Sequence, residues 1–407
     1  MSSSDPLGGS EFPFGDLSKL FSSMGGADPW VQAEQIAQGV ANEGMPEDNV
    51  DPLARIAYDD LARVADLHLR QIPGVTLPSA TAIRAVNRSE WTSESLVVYR
   101  PFFERFGEAL GRPATEEIAS DFTAGDPLGA MFGQMIQSMG PMMVAMSAGA
   151  MIGHLGQQTL GQYDLPVPRP TNDVLVVPFA IDAAAAEWEL PLEEVRLWVL
   201  VHELAAHATV SLPHVRRRLD ALFIDFATAF RLDSPALLEQ FSDITDLSRI
   251  GELAETLNDP NALFDMMRTA THDLLVPQLD ALVAIVTGFI DHVVTTVCGT
   301  LVPSHEQIRY RLRSRTADDV EADQFMERLL GLNITERTLE RGSAFIAGVI
   351  ERVGDDGLNR LWKDELDLPT AAEVDAPGLW LARIGLDPDL PDGALEIPDD
   401  LSGLDEL

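Results

Sequence analysis

Apolar residues recur at three- and four-residue spacing through most of the stretch from residue 30 to residue 385, and that period predicts a mainly α protein. Residues 30–70 read as two helices. In the second, Leu53, Ile56, Ala57, Leu61, Val64, Ala65 and His68 line one predicted face. A Pro/Gly turn follows at 73–78. Ser89 is placed to cap a helix that carries Leu96, Val97, Tyr99 and Phe102, with Pro101 inside the apolar run. Further helices are predicted at 191–210, 213–232, 234–257, 275–300, 303–315, 319–331 and 335–352. The short β-branched run 173–179, ended by proline, predicts a strand. No βαβ alternation and no glycine-rich phosphate loop occur, which argues against a Rossmann or P-loop nucleotide-binding domain.

Residues 128–156 hold seven of the thirteen methionines, with glycine and alanine between them. Small residues let helices approach closely and methionine fills irregular gaps, so a tightly packed helical pair inside the core is expected. Gln134, Gln137 and Pro141 interrupt the run, and neither half reaches the ~20 residues of a membrane span. The Gly-, Ser- and Phe-rich residues 1–29 and the acidic, proline-punctuated residues 386–407 are expected to be disordered tails. They flank a single helical body over 30–385.

Composition narrows the functions. The chain has 407 residues, with 28 Lys+Arg against 65 Asp+Glu and a formal charge of −37. Such a balance argues against nucleic acid and an anionic membrane as partners. Cys298 is the single cysteine, so neither an intrachain disulfide nor a cysteine-rich zinc site is available, and a cytoplasmic setting fits. No basic and apolar leader opens the sequence. Oligomeric state is not legible.

Chemistry concentrates in residues 190–210, LPLEEVRLWVLVHELAAHATV. Pro191 suits a helix start, and Glu193 and Glu194 suit its positive end. Into this apolar helix the sequence inserts His202, Glu203 and His207, which are costly to bury unless something satisfies them. In an H-E-x-x-H helix two histidines four residues apart bind Zn²⁺, and the glutamate activates the metal-bound water. Here Ala206 stands at the second histidine position and His207 is one residue late. Five residues turn a helix by about 500°, leaving the two imidazoles about 140° apart. Three readings stay open: a degenerate site on a retained fold, a π-bulge that swings His207 back, or a Glu203–His207 pair at i,i+4 spacing.

Longer phrases carry a resemblance. PFGDLSKLFSSMGG, the SEW at 89–91, DPLGAMFGQMIQSMG, the helix above with SLPHVRRRL after it, DHV at 291–293, ERGSAFIAGVIERVG and LPTAAEVDAPGLWLARI together resemble the actinobacterial zincin-like zinc-dependent metalloproteases, or hydrolases, over nearly the full length. The resemblance implies a helical zincin-like fold, peptide-bond hydrolysis on a peptide or protein substrate, Zn²⁺ as cofactor, a first ligand at His202 and a general base at Glu203. It does not supply the second ligand, and Thr287, beside Gly288, stands where the family carries an acidic residue. A non-catalytic binding or scaffold protein on the same fold is the alternative.

Other groups could complete the site. His207 or His292 could supply the missing metal ligand, and Asp291 could orient a ligating histidine from behind. His214 reads as a surface or capping residue, and His272 and His305 as residues at helix starts. The arginines at 309, 311, 313 and 315 are expected to pair with neighbouring acids.

Overall fold

Aspartates and prolines set the first helix starts. Asp28 and Asp51 each precede a proline and accept an N–H two residues on, from Trp30 at 3.0 Å and from Leu53 at 2.9 Å. These open α1 (Pro29–Ala41) and α2 (Pro52–Leu69) of the computed structural model, which describes residues 28–45, 47–110, 127–231, 267–317, 326–332 and 334–386. After β1 (Ala82–Ala85) come α3 (Arg88–Leu110) and α4 (Pro127–Gln158). Next follow β2 (Asp173–Val176), α5 (Pro178–Glu187), α6 (Leu192–Val210) and α7 (Pro213–Ala229). The sequence continues with α8 (Ala270–Leu301), α9 (His305–Ala317) and α10 (Glu336–Val353). Five short helical pieces follow between Asp355 and Arg383, four of them packed beside α10. The fold is mainly α, as the apolar period predicts. The expected tails and the expected helix at 234–257 lie almost wholly outside the described residues.

The strand is shorter than expected and has a partner that the pattern did not reveal. It ends at Val176 because Pro178, lacking an N–H, opens α5. β2 pairs in parallel with β1, with Ala82 opposite Asp173 and Ala85 opposite Val176. Four residues each make a minimal sheet, and β1 (AIRA) carries too little alternation to be read from sequence.

Residues 128–156 do not form a helical pair. They belong to one 32-residue helix, α4, which runs through Pro141. Its close partner is α1. A Cβ on Gly149 would stand 2.3 Å from the Ala33 carbonyl oxygen, and one on Gly153 would stand 2.8 Å from that of Ala37. The small residues do permit close approach, but to a separate helix, so α4 has no need to turn back.

α2 departs from its predicted face. Tyr58, Ala65 and Leu69 are buried, while Leu53 (73% exposed), Ile56 (58%), Val64 (41%) and Leu67 (62%) face outward. Apolar residues occupy more than half of this helix's circumference, so periodicity alone does not choose the inward side. The Arg196 guanidinium, 5.4 Å from the Tyr58 ring centre, helps to hold that ring inward.

The core centres on α8. This helix is long and apolar enough to cross a membrane by length and composition, and 72% of its most apolar window is buried inside the body. It packs against α6, α7 and α10. Its crossing with α10 is glycine-dependent: a Cβ on Gly342 would fall 1.8 Å from the Ala284 carbonyl oxygen, and one on Gly288 would fall 2.3 Å from the Gly342 carbonyl carbon. Gly342→Ala is therefore expected to destabilise the protein by about 1–3 kcal/mol, measured as a lower urea midpoint. Gly39→Ala, in α1 with nothing within 4 Å of the new methyl, is expected to raise that midpoint slightly.

Candidate functional site

Helix α6 is apolar on every side, and Val195, Val199, Leu200, Val201, Leu204 and Val210 are all buried. Two links fix its N-terminal half to the start of α9. Glu194 Oε2 accepts the Ser304 N–H at 2.7 Å, and Trp198 Nε1–H donates to His305 Nδ1 at 3.0 Å. His305 is thus a helix-start residue, as expected, with its ring turned to α6. α6 is α-helical throughout, so no π-bulge re-aims His207.

Glu203 is 1% exposed. Its Oε2 accepts two peptide N–H groups, from Gln162 at 2.8 Å and from Tyr163 at 3.0 Å. These belong to the segment that leaves α4 and runs beside β2, where Gly161 bridges Val176. The same segment is held from the other side: Trp91 Nε1–H donates to the Gly161 carbonyl at 2.7 Å, and Val177 N–H donates to the Leu160 carbonyl at 3.0 Å. A Cβ on Gly161 would lie 2.4 Å from the Glu203 carboxyl carbon, so glycine alone permits this approach. Glu203 Oε1 meets His202 Nδ1 at 3.4 Å. Burial disfavours the His202 cation, but the Glu203 hydrogen bond and charge outweigh it and raise the His202 pKa above its ordinary value. The His202 ring stacks on Trp198, 5.6 Å between centres and 8° from parallel.

His207 has other partners. It is fully buried, its Nδ1 lies 2.8 Å from the Tyr163 hydroxyl, and its Nε2 has no hydrogen-bond partner. Burial pushes its pKa down to about 4. The Glu203–His207 pair that the i,i+4 spacing offers does not form. Both residues bond instead to the 160–163 segment, through a backbone contact in one case and the Tyr163 side chain in the other.

A cavity of about 270 Å³ opens between α6, α8 and α9. His202 and Glu203 lie on its wall. So do Ala206, one helical turn past His202, and Thr287 on the facing α8. Thr287 Oγ1–H donates back to the Val283 carbonyl at 2.8 Å. His292, one residue beyond the cavity-lining Asp291, is turned about 100° around α8 and lines a separate recess beside α10. Asp291 does not orient a histidine. Its carboxylate pairs with Arg309 at 3.0 Å, and Arg313 stands 3.8 Å away; both arginines line the cavity. That is the acid pairing expected of the arginine run. The Arg315 side chain lies outside the described residues.

These residues do not fit a resident Zn²⁺. A structural or catalytic zinc needs three or four protein donors converging within about 2.3 Å of the ion. Around the cavity, His202 contributes one imidazole, Ala206 and Thr287 supply no strong ligand, Asp291 is paired with Arg309, and Glu203 spends one oxygen on two N–H groups; Asp164 and Glu327 also line the wall without completing a ligand set. Among the described residues no group of three His, Cys, Asp or Glu side chains is placed to hold a metal ion. His214, expected at the surface, is only 9% exposed, and its Nε2 is unpartnered. His272 caps α8 through Thr269 and is buried against Phe226 and Phe230. Sequence reasoning missed Tyr163, which sits in a proline-rich connection with no motif around it. It also missed the role of Trp198 as the surface on which His202 stacks, although the four-residue spacing of the two was visible.

A family model described as zincin-like metallopeptidase matches residues 29–381. No curated protein matches the chain. Among solved structures, a Chloroflexus aurantiacus protein described as a "putative hydrolase with a novel fold" is 22% identical with a TM-score of 0.59, over 88% of this chain and 98% of that one. At that identity the likeness is one of fold.

The buried histidines give acid stability a sign. His207 and His272, each with a folded pKa of about 4 against an ordinary value of 6.5, stay neutral in the folded chain while the unfolded chain takes up protons. Their contribution to stability is complete above pH 6.5 and is lost as pH falls to 4. It approaches about 3 kcal/mol for each. His202, with its pKa raised, works in the opposite sense: its contribution is present below pH 6.5 and lost as pH rises through its folded value. The urea midpoint is expected to fall between pH 7 and pH 4.5, and His272→Gln is expected to reduce that slope by about one proton.

Proposed function

Because the chain belongs to the zincin-like metallopeptidase family across residues 29–381, we propose that it is a non-catalytic member whose former metal cleft serves as a binding cavity. The observation that carries this reading is the identity of two cavity-wall residues. Ala206 stands at the second histidine position of H-E-x-x-H and Thr287 where the resembled family carries an acidic residue, and both line the cavity with His202. Both are too short or too weakly basic to coordinate zinc. Glu203, the family's general base, works here as a clamp: its Oε2 holds the 160–163 segment against α6.

What binds in such a cleft follows from its walls. Leu155, Ile290, Val294 and Leu339 make it largely apolar, and Arg309 and Arg313 line it together with Asp164, Asp291 and Glu327. An apolar peptide segment, with its carbonyl or carboxylate oxygens towards the arginines, suits this lining and is held without hydrolysis. Peptidase-family ancestry then explains the shape of the cleft rather than a present reaction.

The second reading is a working hydrolase. The joint presence of His202 and Glu203 on the cavity wall favours it. Zinc content separates the two. Protein exposed to excess zinc and then dialysed is expected to retain none in stoichiometric amount. One zinc per chain, lost on His202→Ala, would establish the hydrolase instead. Ala206→His combined with Thr287→Glu places two donors on the wall beside His202 and is expected to raise zinc affinity by on the order of 100-fold, read by calorimetry.

A further inference from the structure

The outward face of α2 is used by nothing within the described residues. Leu53, Ile56, Val64 and Leu67, all between 41% and 73% exposed, fall within about 80° of arc on this helix. They form a stripe about 21 Å long. Isolated exposed apolar residues are ordinary, but four aligned on one face mark a contact surface.

The order of the stripe is palindromic. Leu53 and Leu67 lie seven residues on either side of Asp60, and Ile56 and Val64 lie four residues on either side. We infer that α2 pairs antiparallel with α2 of a second copy of this chain, about a two-fold axis passing beside Asp60. Under that axis Leu53 meets Leu67 of the second copy and Ile56 meets Val64, so each apolar residue finds an apolar residue. An isologous interface demands this self-complementarity, whereas a foreign partner places no such demand on the numbering.

The charges beside the stripe obey the same symmetry. Asp59 and Arg63 border one edge and Ala57 and Leu61 the other. Antiparallel pairing sets Arg63 within one turn of Asp59 of the second copy, and the axis repeats that ion pair. On the axis the two Asp60 carboxylates approach one another. Each is already held by its own Arg63, at 2.8 Å, so with the two Asp59 the centre holds four carboxylates and two guanidiniums, a net charge of −2. A stripe this short makes a small interface and a concentration-dependent dimer. The formal charge of −37 on each copy opposes association at a distance. Salt screens that repulsion more than it weakens an apolar seam, so the dimer tightens as salt rises.

This pairing stands apart from the cavity, and its test reads mass rather than zinc or peptide. Sedimentation velocity of the full-length protein, from about 1 to 200 μM, is expected to show a monomer–dimer equilibrium that shifts towards dimer at higher NaCl. Ile56→Glu changes an exposed residue and leaves the fold intact by circular dichroism; it is expected to weaken dimerisation at least about tenfold. Asp60→Cys, on the axis, is expected to cross-link to its own copy under mild oxidation. Val97→Cys, 67% exposed on α3, is the control and is expected not to; the native Cys298 is buried. A protein that stays monomeric throughout, a dimer indifferent to Ile56→Glu, or equal cross-linking of the two cysteine variants would each overturn the inference.

Discussion

Glu203 Oε2 accepts two consecutive peptide N–H groups inside the protein, and the arrangement around it follows from that contact. A buried carboxyl without donors costs several kcal/mol, and here the donors come from a loop that must be brought to it. Gly161 allows the loop to come close enough. Trp91 and the strand β2 hold its other side. One acceptor therefore couples α6, the exit of α4 and the two-stranded sheet, which are far apart in sequence.

The same contact sets the character of the cavity. With one Glu203 oxygen committed to the loop, its other oxygen faces His202, raises that pKa and helps hold the imidazole flat against Trp198. Tyr163, positioned by the same peptide bond, reaches His207 and draws it away from the cavity. What lines the cavity is then one imidazole, the Asp291–Arg309–Arg313 group on the opposite wall, further polar groups such as Asp164 and Glu327, and apolar surface between them. Two histidines one residue out of step on a regular helix thus have separate roles, one at the cavity and one in the core.

Much of the fold was legible because α10 carries a strong apolar period, α6 and α8 are long apolar runs, and prolines or polar caps mark their starts. The predicted limits 191–210 and 335–352 differ from the observed Leu192–Val210 and Glu336–Val353 by one residue at most at either end. Failures came where a pattern had more than one physical solution. The Gly/Met run satisfies close packing with itself or with α1, and local sequence does not choose. The apolar residues of α2 exceed one face, so the period marks a helix without saying which side is buried. At the site, spacing located His202 and Glu203 but left the place of His207 open, because a π-bulge or an i,i+4 pair would have joined it to them. Tyr163 and the cavity wall depend on contacts between distant segments, which no local motif encodes.

The place of α6 in the fold does not depend on a metal ion. α6 is held by apolar burial on all sides and by bonds from Glu194 and Trp198 to the start of α9, none of which passes through an ion. Small metal-dependent domains lose their fold with their metal, since binding supplies the folding free energy. Here a core running from Ala33 to Leu381 supplies it instead. Ala206 is 1% exposed and packs in that core, so alanine at this place keeps the helix covered and adds no unsatisfied polar group. The residue that could not be exchanged so freely is Glu203. Removing it would strand two buried N–H groups at once, a cost of about 1–3 kcal/mol for each. A glutamate at this place is therefore what the packing alone requires, whatever chemistry accompanies it.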